Sequence, residues 1–495
     1  MEREGPGILR SGLLLFASRL LSIGTGLVFT LMITRTVTRE EYGVWVNLNA
    51  DIVAYFTLLA TALPFWVMRF VSRRHEGAAK TGVVANMILG LVSTTLYALM
   101  APWILSALKI SNAYLPLYLL ASIQIVWIYL VVVFESILRA VKIEALGYGL
   151  LVGEVAKVAA AYLFIFHLKL GLLGAMGALI AGYFFQVLYY LYISRGILKG
   201  RLRLSYFKEW FKGSLATIYA IIGTRVFSFS LVLLFAIGRE VARAYYGASF
   251  QIAGVIGYSS FLAFALYPRL LVRRSPRDVV TAFKSFLMFA VPMTMGAIVL
   301  SDSYLTILNV KYRVASPVLQ AMALNVFVQS LTQLLNSIIF GTEKIDLEAK
   351  IELRELVKTR LFLVFSFPYL RALITLPTVY YILLIVRDDP LTSALYTTLI
   401  ILLSGVLFLV LSIVFAKEAI SFSFPWISLA KYLLASAFMA ILLFLIPHPT
   451  RLLATLGYTI IGGILYFSIL AAIDKEARGL VKSILTELRS KLKTL

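Results

Sequence analysis

The sequence predicts an all-α polytopic membrane protein of about fourteen transmembrane helices: two parallel six-helix lobes plus two extra C-terminal helices. Composition, the length of the apolar blocks and an internal repeat lead there. Hydrophobic residues make up 61% of the 495 residues and charged ones 14%, against roughly 25% charged in an average soluble domain. Many apolar stretches run uninterrupted for the roughly 20 residues that a helix needs to cross a 30 Å hydrocarbon core.

Taken in order, the predicted spans are Ser11–Ile33, Gly43–Phe65, Thr81–Leu105, Leu115–Leu138, Gly147–His167 and Leu172–Ile193 (spans 1 to 6). A second set follows at Ser214–Ile237, Gly247–Tyr267, Phe286–Leu308, Val318–Phe340, Leu361–Val386 and Ala394–Phe415 (spans 7 to 12), with two more at Ile427–Ile446 and Leu452–Ile473 (spans 13 and 14). The opening MEREGPGILR is short and charged. The apolar block behind it is too long for a removable signal peptide and lacks a small-residue cleavage site, so it reads as the first span. The chain has no cysteine, which excludes a disulfide framework, a thiolate metal site and a cysteine nucleophile. His75, His167 and His448 lie in or beside loops and read as solvated.

The formal net charge is +22, and its placement along the chain carries the meaning. With the N-terminus inside, the loops and tails on that side, together with Lys431 at the adjoining end of span 13, hold 32 Lys and Arg, the opposite loops hold 10, and four lie well inside spans. Cytoplasmic loops retain Lys and Arg during insertion, so both termini are expected on the cytoplasmic side of the cell membrane. The charge is a topology signal that also suits anionic membrane lipids. It does not point to nucleic acid as a partner.

An offset of 204 residues aligns the chain with itself. Arg35 meets Arg239, Arg39 meets Arg243, Tyr42-Gly43 meets Tyr246-Gly247, Pro64 meets Pro268, Arg69 meets Arg273, and Lys109 meets Arg313. Six of the seven basic residues between Arg35 and Ala113 face a basic residue, although Lys and Arg are 46 of the 495 residues. Each repeat holds an even number of spans, so both enter the membrane in one orientation. Parallel repeats of this kind belong to transporters that bind substrate between halves. The expected organisation is an N-terminal lobe at 1–200, a C-terminal lobe at 201–420 with a charged cytoplasmic insertion at 341–360, two further helices at 421–473 and a basic amphipathic tail at 474–495. Within the insertion, Leu347, Ile351 and Leu356 share a helical face, the pattern of a short interfacial helix. The chain is expected to be monomeric.

A charge at mid-bilayer costs about 2.5–3.5 kcal/mol even on the lenient insertion scale, so it persists where it has water, a partner or a ligand. Arg19 in span 1, Lys157 in span 5, Arg225 in span 7 and Arg371 in span 11 meet that description, and they fall in repeat-equivalent spans. Asp51 in span 2 is expected either to pair with Arg19 or to hold a coupling cation, H+ or Na+. Glu154, one turn before Lys157, is placed to pair with it or to share the coupling role. Asn47, Asp51 and Tyr55 form one polar stripe, and Asn325, Gln329, Thr332, Gln333 and Asn336 form another, either lining a cavity or bonding between helices. No Gly-rich phosphate loop, HExxH or extramembrane acid pair occurs. An enzyme is not expected, and no cofactor is implied.

Several stretches carry a family resemblance. ITRTVTREEYGVW after span 1, ILRAVKIEALGYG after span 4, GTRVFSFSLVLLFAIGREVARAYYGASFQIAGV across spans 7 and 8, and ILNVKYRVASPVLQAMALN entering span 10 resemble Wzx-type polysaccharide-biosynthesis flippases. That family lies in the multidrug/oligosaccharidyl-lipid/polysaccharide exporter superfamily, with lipid II flippases and multidrug and toxin extrusion (MATE) transporters. The resemblance implies a two-lobe, alternating-access fold and, as substrate, an oligosaccharide on a polyprenyl pyrophosphate or dolichyl phosphate carrier. A peptidoglycan-precursor flippase and a cation-coupled MATE exporter are the alternatives. The family's central basic residues match Arg19 and Arg225 by span alone. The insertion after span 10 is longer than usual, and Arg371 is not matched to a family residue. Phosphate crossing hydrocarbon needs donors in place of its water, and Arg supplies a planar fork of them.

Overall fold

Backbone polar groups inside a bilayer must be satisfied within their own segment, which restricts spanning structure to helices or closed barrels. The computed structural model takes the first route. It describes residues 18, 21–22, 24–263, 275–342, 360–474 and 478–479, and among these there is no strand. Arg19, the 343–359 part of the charged insertion and nearly all of the 474–495 tail lie outside the described residues.

Within the described residues, the predicted spans fall on helices. Eleven described helices are long and apolar enough to cross a membrane, and a bent pair, Arg39–Phe56 with Leu58–Ser72, makes a twelfth. One of the eleven, Leu215–Ser260, has 46 residues. At about 1.5 Å per residue that is more than twice a hydrocarbon core. It is interrupted at Arg239, whose backbone leaves the helix at φ 71 and ψ −178, and so carries spans 7 and 8 together. The described part of span 1 is the apolar helix Gly24–Thr34. The chain is an all-helical, multi-pass membrane protein, as its composition indicates.

Span 2 departs most from a plain rod. Thr38 starts it with a reciprocal capping box: its hydroxyl accepts from the Glu41 amide at 3.2 Å, and the Glu41 carboxylate accepts from the Thr38 amide at 2.7 Å. The backbone then widens to π geometry over Asn47–Ile52 and breaks at Thr57, with a bend of 58° between Arg39–Phe56 and Leu58–Ser72, and a 3-10 turn at Leu58–Thr61 leads into the α-helix that starts at Pro64. Proline has no amide hydrogen and its ring clashes with the preceding turn, so the helix must begin anew there.

The chain divides into two compact units. The first comprises residues 1–244, 350–358 and 365–390; the second comprises 245–349, 359–364 and 391–495. Spans 7 and 11, which the repeat assigns to 201–420, thus pack largely in the first unit. In that unit the helices Ala78–Ala107, Leu115–Val141, Ile143–Ala161 and Gly171–Ser194 pack in sequence order, and the amphipathic helix Leu204–Gly213 buries Trp210 against Phe70 and Val67. In the second unit Pro276–Val299 packs on Ser316–Thr342 and Trp426–Leu445, and Leu452–Ile473 packs on Trp426–Leu445. His448, read from sequence as a solvated loop residue, is instead tied through Nδ1 to Asp302 at 2.7 Å, beside Arg313.

Candidate functional site

The polar stripe of span 2 becomes a buried charge cluster in the first unit. Asp51 is 4% exposed and lies in the π stretch. Its carboxylate accepts from Arg243 Nε at 2.7 Å and Nη2 at 2.9 Å, and the Asn47 amide donates to Oδ2 at 3.2 Å. The partner among the described residues is Arg243; Arg19, the partner the sequence offered, lies outside them. Arg243 reads as an outer-loop residue in the sequence, yet it lies a turn inside the helix that resumes at Glu240 and is 2% exposed. With both oxygens engaged by a guanidinium, Asp51 in this geometry is an ion-pair partner and not an open cation ligand.

Arg225 lies beside this pair. Tyr55, one turn past Asp51, donates its hydroxyl to the Arg225 carbonyl at 3.0 Å, and the side chain lies within electrostatic reach of Asp51 and Tyr55. Its guanidinium makes no hydrogen bond to the described residues, and Nε is fully buried without a partner. A buried charged donor left unmet is costly. The arrangement suits an anion entering from outside the protein.

The remaining candidates divide between other places. Lys157 pairs with Glu154 at 2.7 Å, Thr25 of span 1 donates to the same carboxylate, and the Lys157 ammonium sits 5.4 Å from the Phe29 ring centre. The pair thus ties span 5 to span 1. The Arg371 guanidinium stacks 4.3 Å from the Phe227 ring centre, two residues along span 7 from Arg225. Asn325 and Gln329 belong to the second unit, where the Gln329 amide donates to Asn325 at 3.1 Å along their own helix and Asn325 is fully buried. Among the described residues no group of three or more His, Asp or Glu could hold a metal ion.

Solved structures share this architecture. The lipid II flippase MurJ in an inward closed conformation superposes with a TM-score of 0.68 at 16% identity, over 95% of this chain and all of that one. An inward-facing multidrug resistance transporter of the MATE family matches with a TM-score of 0.58 at 12% identity, over 80% of this chain and 94% of its own. This chain shares the fold of MurJ and of that MOP-superfamily transporter. A further member, from Pyrococcus furiosus and described as having a binding pocket of reversed polarity, matches with a TM-score of 0.55 at 12% identity, over 82% of this chain and 95% of its own. No protein-family model and no curated protein matches the sequence.

Proposed function

We propose that the chain is a flippase that moves a lipid-linked oligosaccharide on a polyprenyl or dolichyl phosphate carrier from the cytoplasmic to the outer leaflet by alternating access of its two repeats. The observation that carries this is Arg225. Asp51 is matched by Arg243 and Glu154 by Lys157, which leaves Arg225 as a half-buried positive charge whose Nε is buried and unmet. A carrier phosphate supplies the missing acceptors, and charge-assisted bonds to a planar guanidinium are the strong ones. Arg19 joins the proposal through its equivalent span, and Lys157, Arg371, Asn47, Asn325 and Gln329 as flanking groups. Asp51 acts as a tie that holds Arg243 and orients Arg225. Any coupling cation, H+ or Na+, would then be held elsewhere, with Glu154 the next carboxylate to examine.

A peptidoglycan precursor is the second reading, favoured by the full-length match to MurJ. Both substrates carry phosphate on a polyprenyl chain, so Arg225 serves either. The test is flipping of fluorescent polyprenyl-pyrophosphate-linked glycan and of lipid II in proteoliposomes. Losing a charge-assisted hydrogen bond, about 1.5–3 kcal/mol, corresponds to roughly 10- to 150-fold. Arg225→Ala should lose that much transport at unchanged abundance, with Arg225→Lys only partly restoring it. The substrate whose flipping falls is the cargo. Normal transport of both by an Arg19→Ala, Arg225→Ala double variant ends the proposal.

A further inference from the structure

The second unit contains a groove of about 380 Å³ that the transport reading does not use. Two of its walls are helical stripes at four-residue spacing: Phe283, Leu287 and Val291 on Pro276–Val299, and Phe327, Leu331 and Leu335 on Ser316–Thr342. Eight residues of helix make each stripe about 12 Å long. One end is aromatic. Phe283 lies 5.4 Å from Phe422 and 5.3 Å from Phe424, and Phe424 lies 4.6 Å from Trp426, all between ring centres. Among the described residues Lys417, at the end of the helix Pro390–Ala419, is the only charged one lining the groove, and it is exposed and without an ion pair to any of them.

The chemistry is graded along the groove. Trp and Lys gather where a helix ends and the chain turns through Phe422–Pro425, the composition of a membrane interface. Beyond them the lining is aliphatic and aromatic throughout, with nothing to hydrogen-bond water. Such a space stays dry or takes an apolar guest. Leu433 and Trp426 on its rim are exposed, so the guest can enter sideways. A narrow apolar slot of this length beside one unpaired ammonium fits an amphiphile with a single chain seated and an anionic head.

We propose that this groove binds one acyl chain of an anionic membrane phospholipid, with Lys417 holding its phosphate. Under the expected topology the mouth faces the cytoplasmic leaflet, where anionic headgroups concentrate. The site belongs wholly to the second unit and does not depend on Arg225 or on the nature of the cargo.

The test uses the purified full-length chain in detergent, photolabelled with a phosphatidylglycerol that carries a diazirine in one acyl chain. Mass-spectrometric mapping should place adducts on 283–291 or 422–433. Unlabelled phosphatidylglycerol should compete about fivefold better than phosphatidylcholine, the factor expected of one lysine near an anionic headgroup. Lys417→Gln, at an exposed position, should abolish that preference while labelling persists, and Leu331→Trp should block labelling by filling the slot. Labels scattered over lipid-facing helices, or equal competition by both lipids, would overturn the proposal. So would selective displacement by undecaprenyl phosphate, which would make the groove a seat for the carrier. Absence of labelling at 283–291 and 422–433 would overturn it as well.

Discussion

Asp51 and Arg243 meet through two hydrogen bonds, and both side chains are 3% exposed. Removing charges from water costs several kcal/mol per ion, and only close, bidentate geometry offsets that. Cutting one partner leaves the other buried and uncompensated, whereas replacing both with apolar groups removes cost and gain together. Asp51→Ala and Arg243→Ala should each lower unfolding stability by about 3–5 kcal/mol, and Asp51→Leu with Arg243→Met should recover most of it. Denaturant unfolding in detergent reads this directly. A double variant no better than the singles would mean that the pair does more than neutralise itself. Half of this pair was legible: an aspartate inside an apolar span advertises a partner. Arg243 was not, because a basic residue four positions before a predicted span looks like loop charge. Only the restart of the helix at Glu240 buries it. Arg225 was legible for the complementary reason, standing in an apolar helix with no acid within a turn.

At the scale of elements, the junction between each repeat's first two spans recurs with different chemistry. In the first repeat Arg35 begins the turn that ends in the Thr38 capping box. At the equivalent position of the second, the break is the single residue Arg239, in a backbone region reached almost only by glycine. The 204-residue offset therefore marks where both helices are interrupted, although periodicity alone cannot say that the second interruption is one residue long. Near these junctions Gly43 approaches the chain so closely that an added Cβ would lie 1.9 Å from the Glu240 carbonyl oxygen. Backbone cannot retreat as a side-chain tip can, so Gly43→Ala should force span 2 away from Glu240 and cost several kcal/mol, on the order of an overpacked core. Gly24→Ala in span 1, where none of the described residues lies within 4 Å of the added carbon, should instead be neutral or gain about 0.5–1 kcal/mol from helix propensity. Thermal unfolding of the two variants side by side separates contact from propensity, and equal shifts would contradict the close approach. The irregularity of span 2 was half visible. Pro64 announces where the α-helix resumes, but neither the 58° bend at Thr57 nor the π stretch over Asn47–Ile52 has a sequence signature of its own.

For the molecule as a whole, the bilayer acts as a length standard, and that made the predicted spans readable in advance: an apolar block either reaches across the core or does not. Orientation rests on a different signal. The loops and tails assigned inside, with Lys431 at the adjoining end of span 13, hold 32 Lys and Arg against 10 outside, and moving the excess across would oppose the retention that sets topology during insertion. The bias is not produced by one loop. The connection after span 6 alone contains Lys199, Arg201, Arg203, Lys208 and Lys212, and the connection after span 2 contains Arg69, Arg73, Arg74 and Lys80. Inverting the protein would place both on the outer face together. The continuous helix through Leu215–Ser260 makes the assignment sensitive to one point, because without the break at Arg239 the 46 residues would count once and every later loop would change sides. Reporter fusions after Glu41, Asn112 and Asp388 test this at three well-separated places, with Asp388 lying beyond the break. All three should read external. A cytoplasmic signal after Asp388 alone would place the error at Arg239, and cytoplasmic signals at any two would overturn the orientation.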